Sequence, residues 1–272
     1  MMKLSIVSGL NESKSPQEKI LNKFTELCSF LKSLDYDGIE LSLLEPEKLD
    51  VKKINEIKDS YGLEISAIGT GSTYIRFGFS YGHQDEAIRR KAIERTEKYI
   101  DFARETGSLV IIGLIRGRYN YENNPKKEKS NIKISLKECV KIAENNNVIL
   151  VFEPINSFEI DSFHTISEAI DLIDEIGSDN LKLLVDTFHV NLEEDPVLIW
   201  EYLGKITDYV KHIHLADTTR RAPGSGHFDF KNFLNIFKEH GYDRFVSIET
   251  IMKPSFKEVA KDSIEFLKII LK

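Results

Sequence analysis

Cysteine is nearly missing from this 272-residue chain: only Cys28 and Cys139 occur, far apart and each inside a helix-like pattern. Neither a disulfide framework nor a thiolate metal site can be built from them, which points to a reducing compartment, the cytoplasm. Long apolar runs are also missing. None approaches the ~18 consecutive apolar residues of a membrane helix, and the opening MMKLSIVSGL lacks the apolar core and cleavage site of a signal peptide. A soluble cytoplasmic protein without membrane contact is expected. Basic excess is absent as well: 37 Lys and Arg face 44 Asp and Glu, for a net charge of −7. A nucleic-acid partner, which asks for a basic face, is therefore not expected. No Pro/Ser-rich linker or low-complexity tract marks a domain boundary, and no strand leads into G-x-G-x-x-G, the mark of a dinucleotide site.

What the chain does have is repetition. Short apolar runs recur at LSIVS (4–8), GIELSL (38–43), EISAIG (64–69), LVIIGLI (109–115), VILVFE (148–153), LKLLVD (181–186), VKHIHLA (210–216) and FVSIET (245–250). A longer amphipathic stretch of helical period follows each; residues 16–34, 82–107 and 165–177 are examples, and Asp195-Pro196 reads as a helix start. Eight strand–helix units of roughly 34 residues predict one closed (β/α)8 TIM barrel over residues 1–272, with an open doubly wound sheet as the runner-up.

In such barrels chemistry sits at the C-terminal ends of the strands. Those ends carry Glu40, Gly69-Thr70-Gly71, Arg116 and Arg118, Glu153, Asp186 with His189, His214 with Asp217, and Glu249. Carboxylates converging on one mouth repel unless a cation neutralises them. Glu153, Asp186, His214 and Glu249 are thus the candidate ligands of one divalent metal. Three carboxylates and an imidazole favour Mn²⁺, with Mg²⁺ or Co²⁺ as substitutes. Singly, each has a plainer reading: Asp186 as a helix cap, the glutamates as partners of neighbouring arginines. His212 and His214 share a face of their strand, and only His214 is near enough to the mouth, which leaves His212 as a hydrogen-bonded core residue. Arg116 and Arg118 suit either a substrate carboxylate or phosphate, or a solvated loop. Gly69, Gly71 and Gly113 suit either close ligand approach or barrel packing.

EPINSFE (153–159), VDTFHVNLEE (185–194), HIHLADTTRRAPGSGHFDF (212–230) and SIET (247–250) resemble the motifs of the xylose-isomerase-like barrels. Among these they are most similar to the ketose 3-epimerases, typified by D-tagatose and D-psicose 3-epimerase. AIGTG (67–71), RRKAIER (89–95) and LVIIGLIRGR (109–118) resemble the 5-ketogluconate epimerase branch. The resemblance implies that Glu153, Asp186, His214 and Glu249 hold the metal. It also implies that Glu159, His189 and Arg220 contact the oxygens of a small sugar. A homo-oligomer, dimer or tetramer, is left open.

The implied reaction inverts C3 of a ketose or keto-sugar acid through a cis-enediolate, with Glu153 and Glu249 as acid and base on opposite faces of the carbon. Aldose–ketose isomerisation of the hydroxypyruvate isomerase kind is the alternative. An endonuclease IV-type nuclease ranks lower, because it needs histidines where this chain has Gly69-Thr70-Gly71 and Gly113-Leu114. The loop at 217–227 is expected to close over the mouth.

Overall fold

Parallel strands covered on both faces need apolar residues at nearly every position, and the eight apolar runs meet that need. The computed structural model describes residues 2–10, 16–118 and 125–271. The strands are β1 (Lys3–Gly9), β2 (Gly38–Ser42), β3 (Glu64–Gly69), β4 (Leu109–Ile112), β5 (Leu150–Phe152), β6 (Leu181–Asp186), β7 (Val210–Leu215) and β8 (Phe245–Ile248). They pair in chain order, all parallel, and β1 closes on β8 through Leu4↔Val246 and Ser5↔Ser247. The fold is a (β/α)8 barrel, and every run read as a strand is one.

Long helices at Gln17–Ser33, Glu86–Thr106, Pro125–Asn146, Ile166–Ile176 and Phe256–Ile270 are among those that cover the barrel. Cys28 and Cys139 are buried and free on two of these helices. The helix Gly71–Phe77 after β3 was not foreseen. Its sequence, GSTYIRF, is poor in helix formers, but Thr73 Oγ1 lies 2.9 Å from the buried Tyr99 hydroxyl and Gly78 closes the helix at φ 69°. Tertiary contact overrides local preference there. Among the described residues no helix is long and apolar enough to cross a membrane.

The main core lies between the barrel's outer face and the helices. Inside, the barrel is two-toned. Ala67, Ile111, Val151 and Leu184 form an apolar cluster on β3 to β6. On the other side, β1, β2, β7 and β8 carry Ser5, Glu40, His212 and Ser247, all buried. The site stands above the line where the two halves meet.

The helix at Ile166–Ile176 shows how tightly its start is specified. Thr165 Oγ1 accepts from Glu168 N–H while the Glu168 carboxylate accepts from Thr165 N–H, a reciprocal cap. Thr165→Ala should cost about 1 kcal/mol, read as a lower urea midpoint at unchanged slope; an unchanged midpoint would show that the cap contributes nothing.

Candidate metal centre and active site

Four side chains meet at the C-terminal ends of β5 to β8. Facing atoms of Glu153, Asp186, His214 and Glu249 all lie within 4.8 Å of one another. His214 Nδ1 is 3.4 Å from both Glu153 Oε1 and Glu249 Oε2, and 3.8 Å from Asp186 Oδ2. Glu153 needs a glycine opposite it: a Cβ on Gly113 would stand 2.7 Å from Glu153 Oε2. Asp186 does two jobs at once. Its Oδ1 caps the helix Thr187–Glu193 by accepting from Phe188 N–H at 2.6 Å, while its Oδ2 turns to the cluster.

The cluster is short of positive charge. Glu153 Oε1, Asp186 Oδ2 and His214 Nδ1 are buried with no hydrogen-bond partner. Burial and the neighbouring Glu249 carboxylate push Asp186 well above the ordinary carboxylate range, and burial pushes Glu153 up as well. Burial alone would lower the His214 imidazolium, yet Glu40 and Glu249 hold it well above the usual histidine value. Glu249, only partly buried, is held low by His214 and Arg220. A divalent cation among three oxygens and one nitrogen would answer this demand, and the donor set suits Mn²⁺, Mg²⁺ or Co²⁺.

A second group faces the cluster across a cavity of about 180 Å³. Arg220 reaches Glu159 with one guanidinium nitrogen and Glu249 Oε2, at 3.3 Å, with the other. Asn156, which the motif reading passed over, ties this group together: its Nδ2 donates to Glu159 Oε1 at 3.1 Å and lies 2.7 Å from His189 Nδ1. Its Oδ1 accepts from Phe158 N–H, which fixes the amide's orientation. His189 Nδ1 is therefore an acceptor, and the proton sits on Nε2, which faces Glu153 and Asp186 at 3.9 Å. Burial, then Arg220, holds the His189 pKa down to about 3, so the ring is a neutral N–H donor.

The loop after β7 holds Arg220 rigidly. Buried Asp217 accepts from the N–H groups of Thr218, Gly224, Gly226 and Phe228. A Cβ on Gly226 would collide with that carboxylate. Arg220 itself is left-handed, φ 57°, with its N–H on Asp217 O and its C=O on Ile251 N–H.

The sequence profile of the xylose isomerase-like TIM barrels matches residues 28–270. The chain belongs to this family. The members it resembles include a probable ketose 3-epimerase of Synechocystis sp., 24% identical over 86% of each chain. A 3-dehydro-D-guloside 4-epimerase of Escherichia coli is 25% identical over 92% of this chain and 95% of its own. A solved L-ribulose 3-epimerase superposes with a TM-score of 0.84 at 22% identity, covering 100% of this chain and 95% of that one.

Within this xylose isomerase-like barrel, then, the four candidate ligands converge, and Glu159, His189 and Arg220 line the same cavity. His212 lies one layer down, fully buried, as its place on the strand requires. Of the strand-four arginines, Arg116 needs correcting, while Arg118 fits the solvated-loop reading. Arg116 is neither a substrate group nor a loop charge: it is 0% exposed, donates to the carbonyls of Glu153 and Ile112, and stacks on Phe152. Arg118 is exposed and donates to the carbonyls of Glu159 and Phe158, outside the lining of the cavity. Of the three glycines, Gly113 follows the packing reading: it leaves room for the Glu153 carboxylate.

Two outcomes follow from this geometry. Asp217→Ala removes the acceptor of several charge-assisted bonds worth about 1.5–3 kcal/mol each, so trypsin should cut after Arg220 or Arg221 more than about tenfold faster in the native state. Equal cleavage rates would mean the loop is held by other contacts. Long-range ¹H–¹⁵N spectra of ¹⁵N-histidine-labelled protein with Mg²⁺ should show His189 as the neutral Nε2–H tautomer from pH 5.5 to 9. A titration in that window would contradict the hydrogen-bond assignment.

Proposed function

We propose that this protein is a divalent-metal-dependent epimerase that inverts the carbon beside the carbonyl of a keto-sugar, C3 of a ketose or of a 5-ketogluconate-like acid. One observation carries the reading. Glu153 and Glu249 come from strands three places apart round the ring, and each stands 3.4 Å from the same His214 nitrogen. Two carboxylates that reach one point from well-separated strands suit inversion, in which a proton leaves one face and another returns on the opposite face. The relatives are named as a 3-epimerase and a 4-epimerase, activities that invert a carbon beside a carbonyl.

The proton of a carbon next to a carbonyl is only weakly acidic, so the site must stabilise the enediolate left when it departs. Mn²⁺ held by Glu153, Asp186, His214 and Glu249 would supply Lewis-acid stabilisation of that charge. The chain's own groups do the rest. One glutamate takes the proton and the other, protonated, delivers one to the far face; the roles exchange in the reverse reaction. The Nε2–H of His189 and the Arg220 guanidinium donate to substrate oxygens and fix the sugar's register. Glu159 and Asn156 hold those two donors.

The test is a panel of ketoses, 5-ketogluconate and ketose phosphates in D₂O with Mn²⁺, read by NMR. Deuterium at the inverted carbon, C3 of a ketose, is expected. EDTA should abolish turnover and Mn²⁺ or Co²⁺ restore it. Glu153→Gln and Glu249→Gln should each lower kcat by about 10²–10⁴-fold, the usual contribution of general acid–base catalysis, with the fold intact. Deuterium at C1 with an aldehyde product would make the protein an aldose–ketose isomerase, and no exchange with any sugar would overturn the reading.

A further inference from the structure

Glu40, on β2, lies across the barrel from the cluster and was read from the sequence only as one more acidic strand end. It is 2% exposed, and both its neighbours are histidines of β7. Its Oε2 is 2.8 Å from His212 Nε2, while Oε1 and Oε2 are 3.1 and 3.0 Å from His214 Nε2. A carboxylate only accepts, so both histidines present N–H to it. For His214 this leaves Nδ1 facing Glu153, Asp186 and Glu249, the nitrogen that would give up its proton and offer its lone pair to a cation. The three residues are close enough to suggest a metal triad of their own, but their facing atoms are already joined by these hydrogen bonds.

We propose that Glu40 is a positioning residue of the metal centre: it selects the His214 tautomer that offers Nδ1 to the cation, and His212 pins Glu40 in place from below. The inference rests on the metal-dependent reading above. A histidine ligand whose other ring N–H meets a carboxylate is fixed in orientation and made more basic, and losing that partner weakens binding by about 10–100-fold. Here the partner is anchored twice. With His212 removed, Glu40 keeps only His214 as a partner and can turn; with Glu40 made an amide, its NH₂ confronts the His214 Nε2–H whichever way the amide lies. If His214 yields, its proton moves to Nδ1 and the ligand is lost.

The experiment uses Co²⁺ alone with metal-stripped protein, reading affinity by competition with a chelating indicator and the ligand field by visible absorption. Wild-type protein should bind one Co²⁺. Glu40→Gln should bind about 10–100-fold more weakly with an altered Co²⁺ spectrum, and His212→Phe, which keeps the ring volume, should fall between the two. His212→Phe also decides the matter should Glu40→Gln fail to fold. Wild-type affinity and spectrum in a folded Glu40→Gln or His212→Phe protein would overturn the proposal while leaving the metal centre standing. Failure of the wild type to bind Co²⁺ would overturn both.

Discussion

Three carboxylates brought together in one barrel mouth set the terms for everything around them. Two like charges 4 Å apart repel by about 4 kcal/mol at the effective dielectric of a protein surface, and more when buried. The structure meets that repulsion from several directions. Arg220 lies against Glu249 and Glu159, the protonatable nitrogen of His214 faces all three acids, and the ligand atoms are spaced to share one cation. The backbone takes part as well. Arg220 occupies a left-handed conformation that costs a non-glycine residue of order 1 kcal/mol, and it stays there because Asp217 and Ile251 grip its amide and carbonyl.

The strands were legible because a stave buried on both faces must be apolar along its length, and that pattern survives in one dimension. The convergence of Glu153, Asp186, His214 and Glu249 was legible because barrel topology turns a strand's last residue into a place in space. Contacts across the ring were not. Glu40 and His212 are 172 residues apart, and nothing near either one names its partner. Asn156 sits inside a quoted motif, yet its role depends on His189, 33 residues on. Arg116 misled because an arginine beyond a strand end reads as a solvent or ligand group. The turn after β4 instead folds it back under Glu153, where the face of Phe152 and backbone carbonyls satisfy it.

Asp186 shows why weighing a cap against a ligand was a false choice. A carboxylate has two oxygens, and the strand end aims one at the helix that begins there and the other at the mouth. Capping fixes the side chain's torsions, so the free oxygen is already placed before any cation arrives. Ordering costs that binding would otherwise bear are met by folding.

The same economy runs through the barrel's two-toned interior. The four clustered side chains occupy the ends of β5 to β8, backed on the β7 side by the Glu40–His212 pair. Apart from Glu40, whose carboxylate is engaged by His212 and His214, the β2 to β4 side of the cavity holds small or neutral groups such as Ser42, Gly69, Thr70, Gly113 and Leu114. An endonuclease IV-type site would need further metal-binding histidines on strands three and four, and there is none at these positions. What the wall offers instead is room and hydroxyls. Apart from Glu40, the charged groups of the lining come from β5 to β8 and the loops that follow them. Under the proposed reading, that division lets one carbon be worked on from both faces while the rest of the sugar lies against a surface that neither attracts nor repels its protons.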